Sequence, residues 1–302
     1  MTTETIGFIG LGNMGGRMTK CIIRGGRDVL GFDANPSAID GSGASGAASV
    51  AELTRASDFI LLSLPDSHVV ESVVFDDGGV LENIDSGKVV IDLSTAAPES
   101  TRRVHELLAQ KGAAYLDAGI SGGAAAADVG KLTLMVGGET EALDRVRSVL
   151  DLFATNIFYV GSSGAGHTTK LLNNFLNAVS LAATAEVMVA GKKAGLNLAV
   201  LLEVFNKSSG VNFATMNRFP KIITGDYLKG GLTNSLMMKD VVLYAELVSD
   251  LGVASLNAAG PVASFGLANA LGYANEISNT VVDAIGDVSG GVRLFEPEEE
   301  HQ

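Results

Sequence analysis

Near the start of the chain, Gly10-Leu11-Gly12-Asn13-Met14-Gly15 reads as G-x-G-x-x-G between a β-branched run and a helical stretch. In that setting the first glycine permits a tight turn and the second lets a pyrophosphate approach the backbone. The third allows close packing of helix on strand. The pyrophosphate would rest on the free N–H groups at the helix N-terminus. Asp33 follows about 20 residues on, at the end of the next strand candidate, where a carboxylate receives ribose hydroxyls and repels a 2′-phosphate. Ala34-Asn35-Pro36 brings no cation, so NAD is favoured over NADP. A role for Asp33 in capping the turn before Pro36 is compatible with both.

A second set lies in the helix that starts near His167. Lys170 is the only charged residue between Thr168 and Ala185, among Leu171, Leu172, Phe175, Leu176, Val179 and Leu181. So apolar a helix is expected to be buried on most sides, between two domains. Burial disfavours a lysine's charge, and a lysine brought toward neutrality can give and take a proton at an alcohol or carbonyl oxygen. Asn174, one turn along the same face, could orient a substrate or the ammonium. The plainer alternative is a lysine reaching solvent at the helix start.

Three further segments end strand candidates, where open α/β sheets bind ligands. They are Leu64-Pro65-Asp66, the run from Asp92 to Pro98 that contains Thr95, and Asp117-Ala118-Gly119-Ile120-Ser121-Gly122-Gly123. Thr95 could reach a nicotinamide or cap the helix beginning near Pro98. Ser121, Gly122 and Gly123 could expose successive N–H groups as a carboxylate nest, or form an ordinary loop. Lys239 beside Asp240 could close a pocket or form a solvated surface pair. His68, His105, His167 and His301 lack metal-ligand spacing, so no metal is expected, and Cys21 reads as a packing residue.

The elements that must position these residues change character midway. Strand candidates at 5–9, 28–32, 59–64, 88–91, 114–116, 132–136 and 157–160 alternate with helical stretches such as 14–24 and 99–111, implying parallel strands. From His167 the chain reads as helix, broken at Gly195, Gly210, Gly225, Gly230-Gly231, Gly252 and Gly260-Pro261. The expectation is a Rossmann-type doubly wound α/β domain over 1–163 and an all-α domain over 164–302, ending in an acidic tail at 296–302. The 302 residues carry 21 Lys and Arg against 34 Asp and Glu, a net charge of −13. That balance disfavours nucleic acid and anionic lipid as partners. With 47% hydrophobic and 18% charged residues the chain is not a disordered one. Met1-Thr2-Thr3-Glu4-Thr5 lacks a basic signal start. Residues 175–190 carry Asn177, Ser180, Thr184 and Glu186, against a membrane span. One cysteine suits a reducing, cytoplasmic setting.

Taken in order, the motifs resemble the β-hydroxyacid dehydrogenase family, above all its 3-hydroxyisobutyrate dehydrogenase branch. They are GFIGLGNMG at 7–15, DLSTAAP at 92–98, DAGISGG at 117–123 with GKLTLMVGG at 130–138, GSSGAGHTTKLLNN at 161–174, and KD at 239–240. The resemblance implies NAD-dependent oxidation of a small 3-hydroxy acid to its semialdehyde, or the reverse, by a homodimer or homotetramer. It implies hydride transfer to the nicotinamide C4 while Lys170 handles the hydroxyl proton and Asn174 orients the substrate. Ser121, Gly122 and Gly123 would hold the substrate carboxylate. Gly10 through Gly15, with Leu11, Asn13 and Met14 between the glycines, would bind the cofactor together with Asp33, Thr95 and Lys239. Leu64, Pro65 and Val69 would line the adenine side. Tartronate-semialdehyde reductase, L-serine dehydrogenase and imine reductase share the fold; family imine reductases generally lack the lysine, as do non-catalytic dinucleotide-binding relatives. The family's usual DAPVSGG appears here with Gly119 and Ile120, losing a rigid proline beside the substrate loop.

Overall fold

The computed structural model describes residues 4–228 and 231–295. The readings of Met1-Thr2-Thr3, of Gly230 and of the tail at 296–302 lie outside the described residues. The described chain divides into two compact units, Met1–Lys170 and Leu171–Gln302.

The first unit is built on eight strands: β1 (Ile6–Ile9), β2 (Val29–Phe32), β3 (Ser45–Gly46), β4 (Phe59–Leu62), β5 (Val89–Asp92), β6 (Ala114–Ser121), β7 (Leu132–Gly137) and β8 (Ala154–Gly161). They form one sheet in the order β3-β2-β1-β4-β5-β6-β7-β8. Between and beyond them run α1 (Gly15–Arg24), α2 (Pro36–Ser42), α3 (Val50–Ala56), α4 (Ser67–Phe75), α5 (Val80–Asn83), α6 (Pro98–Gln110), α7 (Gly123–Asp128) and α8 (Thr140–Leu150). A parallel strand covered on both faces needs apolar side chains without alternation. β4 shows this: Phe59 and Leu61 enter one core cluster, Ile60 and Leu62 the other, and all four are fully buried.

Three features depart from the strand–helix reading. β6 and β7 pair antiparallel, with Gly119 opposite Met135 and Ser121 opposite Thr133. An antiparallel neighbour needs no long crossover, and six-residue α7 with its flanking turns makes the connection. β6 also runs five residues past Leu116, so Ser121 ends a strand instead of lying in a loop. The two-residue edge strand β3 went unread because its Ser-Gly sequence carries no strand signal.

The second unit is helical. α9 (Ala165–Lys193) begins in the first unit and continues into the second, followed by α10 (Leu198–Asn206), α11 (Phe213–Asn217), α12 (Phe219–Ile222), α13 (Asn234–Asp250), α14 (Ala259–Ala268) and α15 (Val281–Val288). Gly260-Pro261 does not break the chain: both lie in the first turn of α14, where a missing N–H costs nothing. Over residues 168–185, α9 is buried or half-buried on most sides, and Phe175, Ala178, Leu181, Ala182 and Ala185 enter the helical core. One strip stays open, with Leu172 43% exposed and Leu176 67%. Among the described residues no helix is long and apolar enough to cross a membrane.

Candidate active site

The glycine loop shows the three constraints its spacing implies. Gly10 has φ +87, and a Cβ there would meet the Ser63 carbonyl oxygen at 2.4 Å. A Cβ on Gly15 would meet the Gly10 carbonyl oxygen at 1.9 Å, whereas one on Gly12 would meet nothing within 4 Å. The backbone at Gly12 is therefore open to close approach. α1 begins without a side-chain cap and without an acid in its first turn, so its leading N–H groups suit an anion. These features fit a dinucleotide pyrophosphate. Asp33 is anchored from both sides. Its Oδ2 accepts from the Leu11 N–H at 2.7 Å and its Oδ1 from the Asn35 N–H at 2.8 Å. The turn-capping role is thus real, and it ties Asp33 to the glycine loop.

Leu64 follows β4, and its N–H donates to Ser94 Oγ at 2.9 Å, joining that loop to the Asp92–Thr95 segment. Val69 lies in the first turn of α4, its N–H donating to Asp66 Oδ1 at 3.0 Å; Pro65 is exposed. Thr95 is half-buried, and the N-cap position of α6 is held by Ala97, which has no capping side chain. A cleft of about 490 Å³ between the amino ends of β1, β2 and β4 lies at the opposite edge of the sheet from all these loops.

Beneath the Asp92–Ala97 segment lies a buried polar network that the residue spacing did not reveal. Asp117, fully buried at mid-β6, accepts the N–H groups of Gly164 and His167, both at 2.8 Å, and so caps the start of α9. His167 is fully buried, with Nδ1 2.7 Å from Thr101 Oγ1 and Nε2 3.3 Å from the Asp92 carbonyl oxygen. Asp92 in turn accepts from Tyr115 Oη at 2.8 Å and from the Ser94 N–H at 2.9 Å. Burial first, and then the Asp92 carboxylate, push the Tyr115 hydroxyl well above its ordinary range, so it stays a donor. The one signal in the sequence was an acid at or near the end of each of two apolar strands.

Lys170 is half-buried in the second turn of α9. A Cβ added at Gly119 would come within 2.5 Å of Lys170 Cβ and 3.1 Å of its Cγ. β6 and α9 therefore meet at backbone contact at the position where the resemblance expects a proline. Gly119 and Ser121 share a face of β6, so Ser121 projects on the Lys170 side. Gly122 (φ +125) and Gly123 (φ +67) turn the chain from there into α7.

In the second unit Asn174 is buried, and its Nδ2 donates to Asp240 Oδ2 at 2.5 Å. Asp240 is 1% exposed, and Lys239 Nζ stands 3.2 Å from its Oδ1. That pair is not a solvated surface pair. Phe175 stacks on Tyr244 with ring centroids 3.6 Å apart, fixing α9 against α13. Asp240, which sequence reasoning treated only as a partner of Lys239, fixes the Asn174 amide.

Comparison with known proteins agrees with this geometry. Residues 5–161 match the model for the NAD binding domain of 6-phosphogluconate dehydrogenase, and residues 164–282 that for the NAD-binding of NADP-dependent 3-hydroxyisobutyrate dehydrogenase. The chain is 40% identical over 80% of its length to the NAD-dependent L-serine dehydrogenase of Pseudomonas aeruginosa, covering 85% of that protein. It is 37% identical, again over 80% of its length, to 2-(hydroxymethyl)glutarate dehydrogenase of Eubacterium barkeri, of which 81% is covered. The structure of Mycobacterium tuberculosis 3-hydroxyisobutyrate dehydrogenase with L-serine superposes with a TM-score of 0.82 at 29% identity, covering 95% of this chain and 99% of that one. The chain belongs to the β-hydroxyacid dehydrogenase family, and it is an oxidoreductase that uses a nicotinamide dinucleotide.

Proposed function

We propose that the protein oxidises a small 3-hydroxy acid to its semialdehyde, or runs the reverse reduction, with NAD as the preferred cofactor. The observation that carries this reading is the meeting of β6 and α9, where Lys170 lies against Gly119, on the strand face that Ser121 shares. A nicotinamide held by the glycine loop and Asp33 would supply the hydride chemistry at its C4. Lys170 takes the proton from the substrate hydroxyl, and returns it in the reverse direction. Asp240 holds the Asn174 amide by its Nδ2, and the Asn174 Oδ1, which accepts a long bond of 3.5 Å from Asn173 Nδ2, keeps a second lone pair for substrate or ammonium. Ser121, with the N–H groups of Gly122 and Gly123, receives the substrate carboxylate. Gly10, Leu11, Gly12, Asn13, Met14 and Gly15 cradle the dinucleotide, Leu64, Pro65 and Val69 line its adenine side, and Thr95 and Lys239 contact the cofactor. Asp33 binds the ribose hydroxyls and repels a 2′-phosphate.

On this reading residues 1–163 form the dinucleotide-binding domain, which also carries Ser121, Gly122 and Gly123, and residues 164–302 the helical substrate and oligomerisation domain, in a cytoplasmic homodimer or homotetramer. Support for assembly comes from large apolar side chains left open on α9 and β8, including Leu176 at 67% and Phe158 at 56% exposure. Sedimentation that returned a monomer at micromolar concentration would remove the oligomer. L-serine is the second substrate to test, since it is the ligand in the Mycobacterium tuberculosis structure. A panel of 3-hydroxyisobutyrate, 3-hydroxypropionate, L-serine and glycerate, read by NADH absorbance, tests the whole reading. Oxidation of at least one is expected; reduction of NAD by none, with no reverse reaction on the semialdehydes, defeats it.

A further inference from the structure

α7 is a helix of six residues, too short to hold itself, and it packs along α1 inside the first unit. One stripe of α1 supplies the grip: Arg17, Cys21 and Arg24 stand four and three residues apart, on a single helix face. Arg24 Nη2 donates to the Asp128 carbonyl at 2.5 Å and to Cys21 Sγ at 2.8 Å. The Cys21 thiol donates to the Ala127 carbonyl at 3.1 Å. These are the last carbonyls of α7, which a helix cannot satisfy from within.

Arg17 does something further. Its Nη1 binds Oδ2 of the Asp128 carboxylate, and its Nε donates to Asn13 Oδ1 at 3.2 Å. Asn13 lies inside the glycine loop, so one planar guanidinium holds that loop and the end of α7 together. Arg17 is half-buried and Asp128 exposed, and an ion pair so placed adds little to stability. The position is also unfavourable for a cation, since Arg17 is the third residue of α1 and faces the positive end of the helix dipole. An anion at the start of α1 relieves that repulsion, and a dinucleotide pyrophosphate is the anion the glycine loop is shaped to receive.

The other end of α7 lies at the residues assigned to the substrate. α7 begins at Gly123, directly after Ser121 and Gly122. A helix only about 9 Å long turns as one body, so what holds Asp128 also aims Gly122 and Gly123. We infer that Arg17 is a positioning residue through which a bound dinucleotide tightens the hold of Ser121, Gly122 and Gly123 on a substrate carboxylate. A dinucleotide on the glycine loop fixes Asn13 and Arg17, Arg17 fixes Asp128, and α7 carries the constraint to its first residues. This inference rests on the reading of Ser121, Gly122 and Gly123 as the carboxylate site.

Calorimetry on the full chain tests it. Isobutyrate, which lacks the reacting hydroxyl, and isobutyramide, which also lacks the charge, are titrated with and without saturating NAD. In the wild type NAD should tighten isobutyrate binding by at least about fivefold, the lower end of ordinary coupling between sites, and isobutyramide binding by less than about twofold. Asp128→Asn and Arg17→Gln should each bring the isobutyrate factor below about two. The double variant should lose no more than either alone, because both substitutions break one link. Arg17→Lys, which keeps the charge but cannot hold two partners in one plane, should retain part of the factor. A merely structural ion pair would lower the melting temperature and leave the factor unchanged, and that result overturns the inference. So does a wild-type factor near one, or losses that add in the double variant. Isobutyrate that binds no better than isobutyramide in either state defeats the carboxylate reading itself, and the inference falls with it. If Arg17→Gln loses NAD binding or is unfolded by circular dichroism, Asp128→Asn, which lies outside the glycine loop, decides alone.

Discussion

The proposed proton transfer at Lys170 rests on what stands on either side of it in the chain's fold. Gly119 lets the β6 backbone touch its Cβ, and Asn174 one turn further along α9 is fixed by buried Asp240. Lys170→Ala is expected to lower kcat by roughly 10²–10⁴, the usual contribution of a positioned acid–base group. The NAD dissociation constant from fluorescence titration should stay within about threefold, a change below 1 kcal/mol. Lys170→Arg should restore little, since a guanidinium keeps its proton near neutrality. Asp33 works differently, because it already accepts from Leu11 and Asn35 before any ribose arrives. Its removal loosens the glycine loop as well as the selectivity. The wild type should favour NAD over NADP by at least about tenfold in kcat/KM, or 1.4 kcal/mol. In Asp33→Ala combined with Asn35→Arg that ratio should narrow or reverse, with both absolute values reduced. A wild type that favoured NADP would defeat the argument from Asp33.

Among the elements, the crossing of β6 and α9 decides where Lys170 stands. Three devices fix it: the absence of a side chain at Gly119, the capping of α9 by Asp117, and His167 reaching Thr101 and the Asp92 carbonyl. A methyl at Gly119 meets the root of the Lys170 side chain, which cannot swing aside as a chain end could. Gly119→Ala should therefore cost about 1–3 kcal/mol, the range for overpacking, and move Lys170. The expected result is a fall in kcat of roughly tenfold or more, since a displacement of about 1 Å at a reacting group costs up to 10². Chemical denaturation and steady-state kinetics on the same preparation would check both. Asp117→Asn keeps the shape of the cap but removes the charge from its two hydrogen bonds. A loss of about 1–2 kcal/mol in unfolding free energy is expected, within the range for helix N-caps. An unchanged denaturation midpoint would show that Asp117 does not anchor α9.

For the whole molecule, charge sets the terms of substrate capture. A net charge of −13 gives a field that opposes a carboxylate, so attraction must be local. Ser121 supplies a hydroxyl donor on the Lys170 side of β6, and a hydrogen bond to a charged group contributes about 1.5–3 kcal/mol. Ser121→Ala should accordingly lower kcat/KM for the acid substrate by roughly 10- to 150-fold. The methyl ester of that substrate should already be poor, and the substitution should affect it much less. An ester that reacts as well as the acid would show that Ser121, Gly122 and Gly123 hold no carboxylate. Added salt should speed capture of the acid, because it screens the opposing global field more than the local donors.

How much of this was legible beforehand follows from the range of the forces involved. Gly10, Gly12, Gly15 and Asp33 are read from local spacing, because a tight turn, a helix start and the next strand end are all set within one supersecondary unit. The same holds for the doubly wound class, which follows from strand candidates alternating with helical stretches, and for the placing of Lys170 and Asn174 one turn apart. Packing between distant segments decided the rest. Asp117 caps a helix that starts 48 residues later, and Asp92 meets His167 across 75 residues, separations on which local pattern has no hold. The reversal of β7 against β6 depends on a pairing that no single strand encodes. Gly119 read as a lost proline, since only the approach of α9 shows what an absent side chain makes room for. Arg218 carries no signal in the sequence; only folding sets its guanidinium against the Asn177 and Asn279 amide oxygens, because solvation is a property of the surroundings and not of the residue.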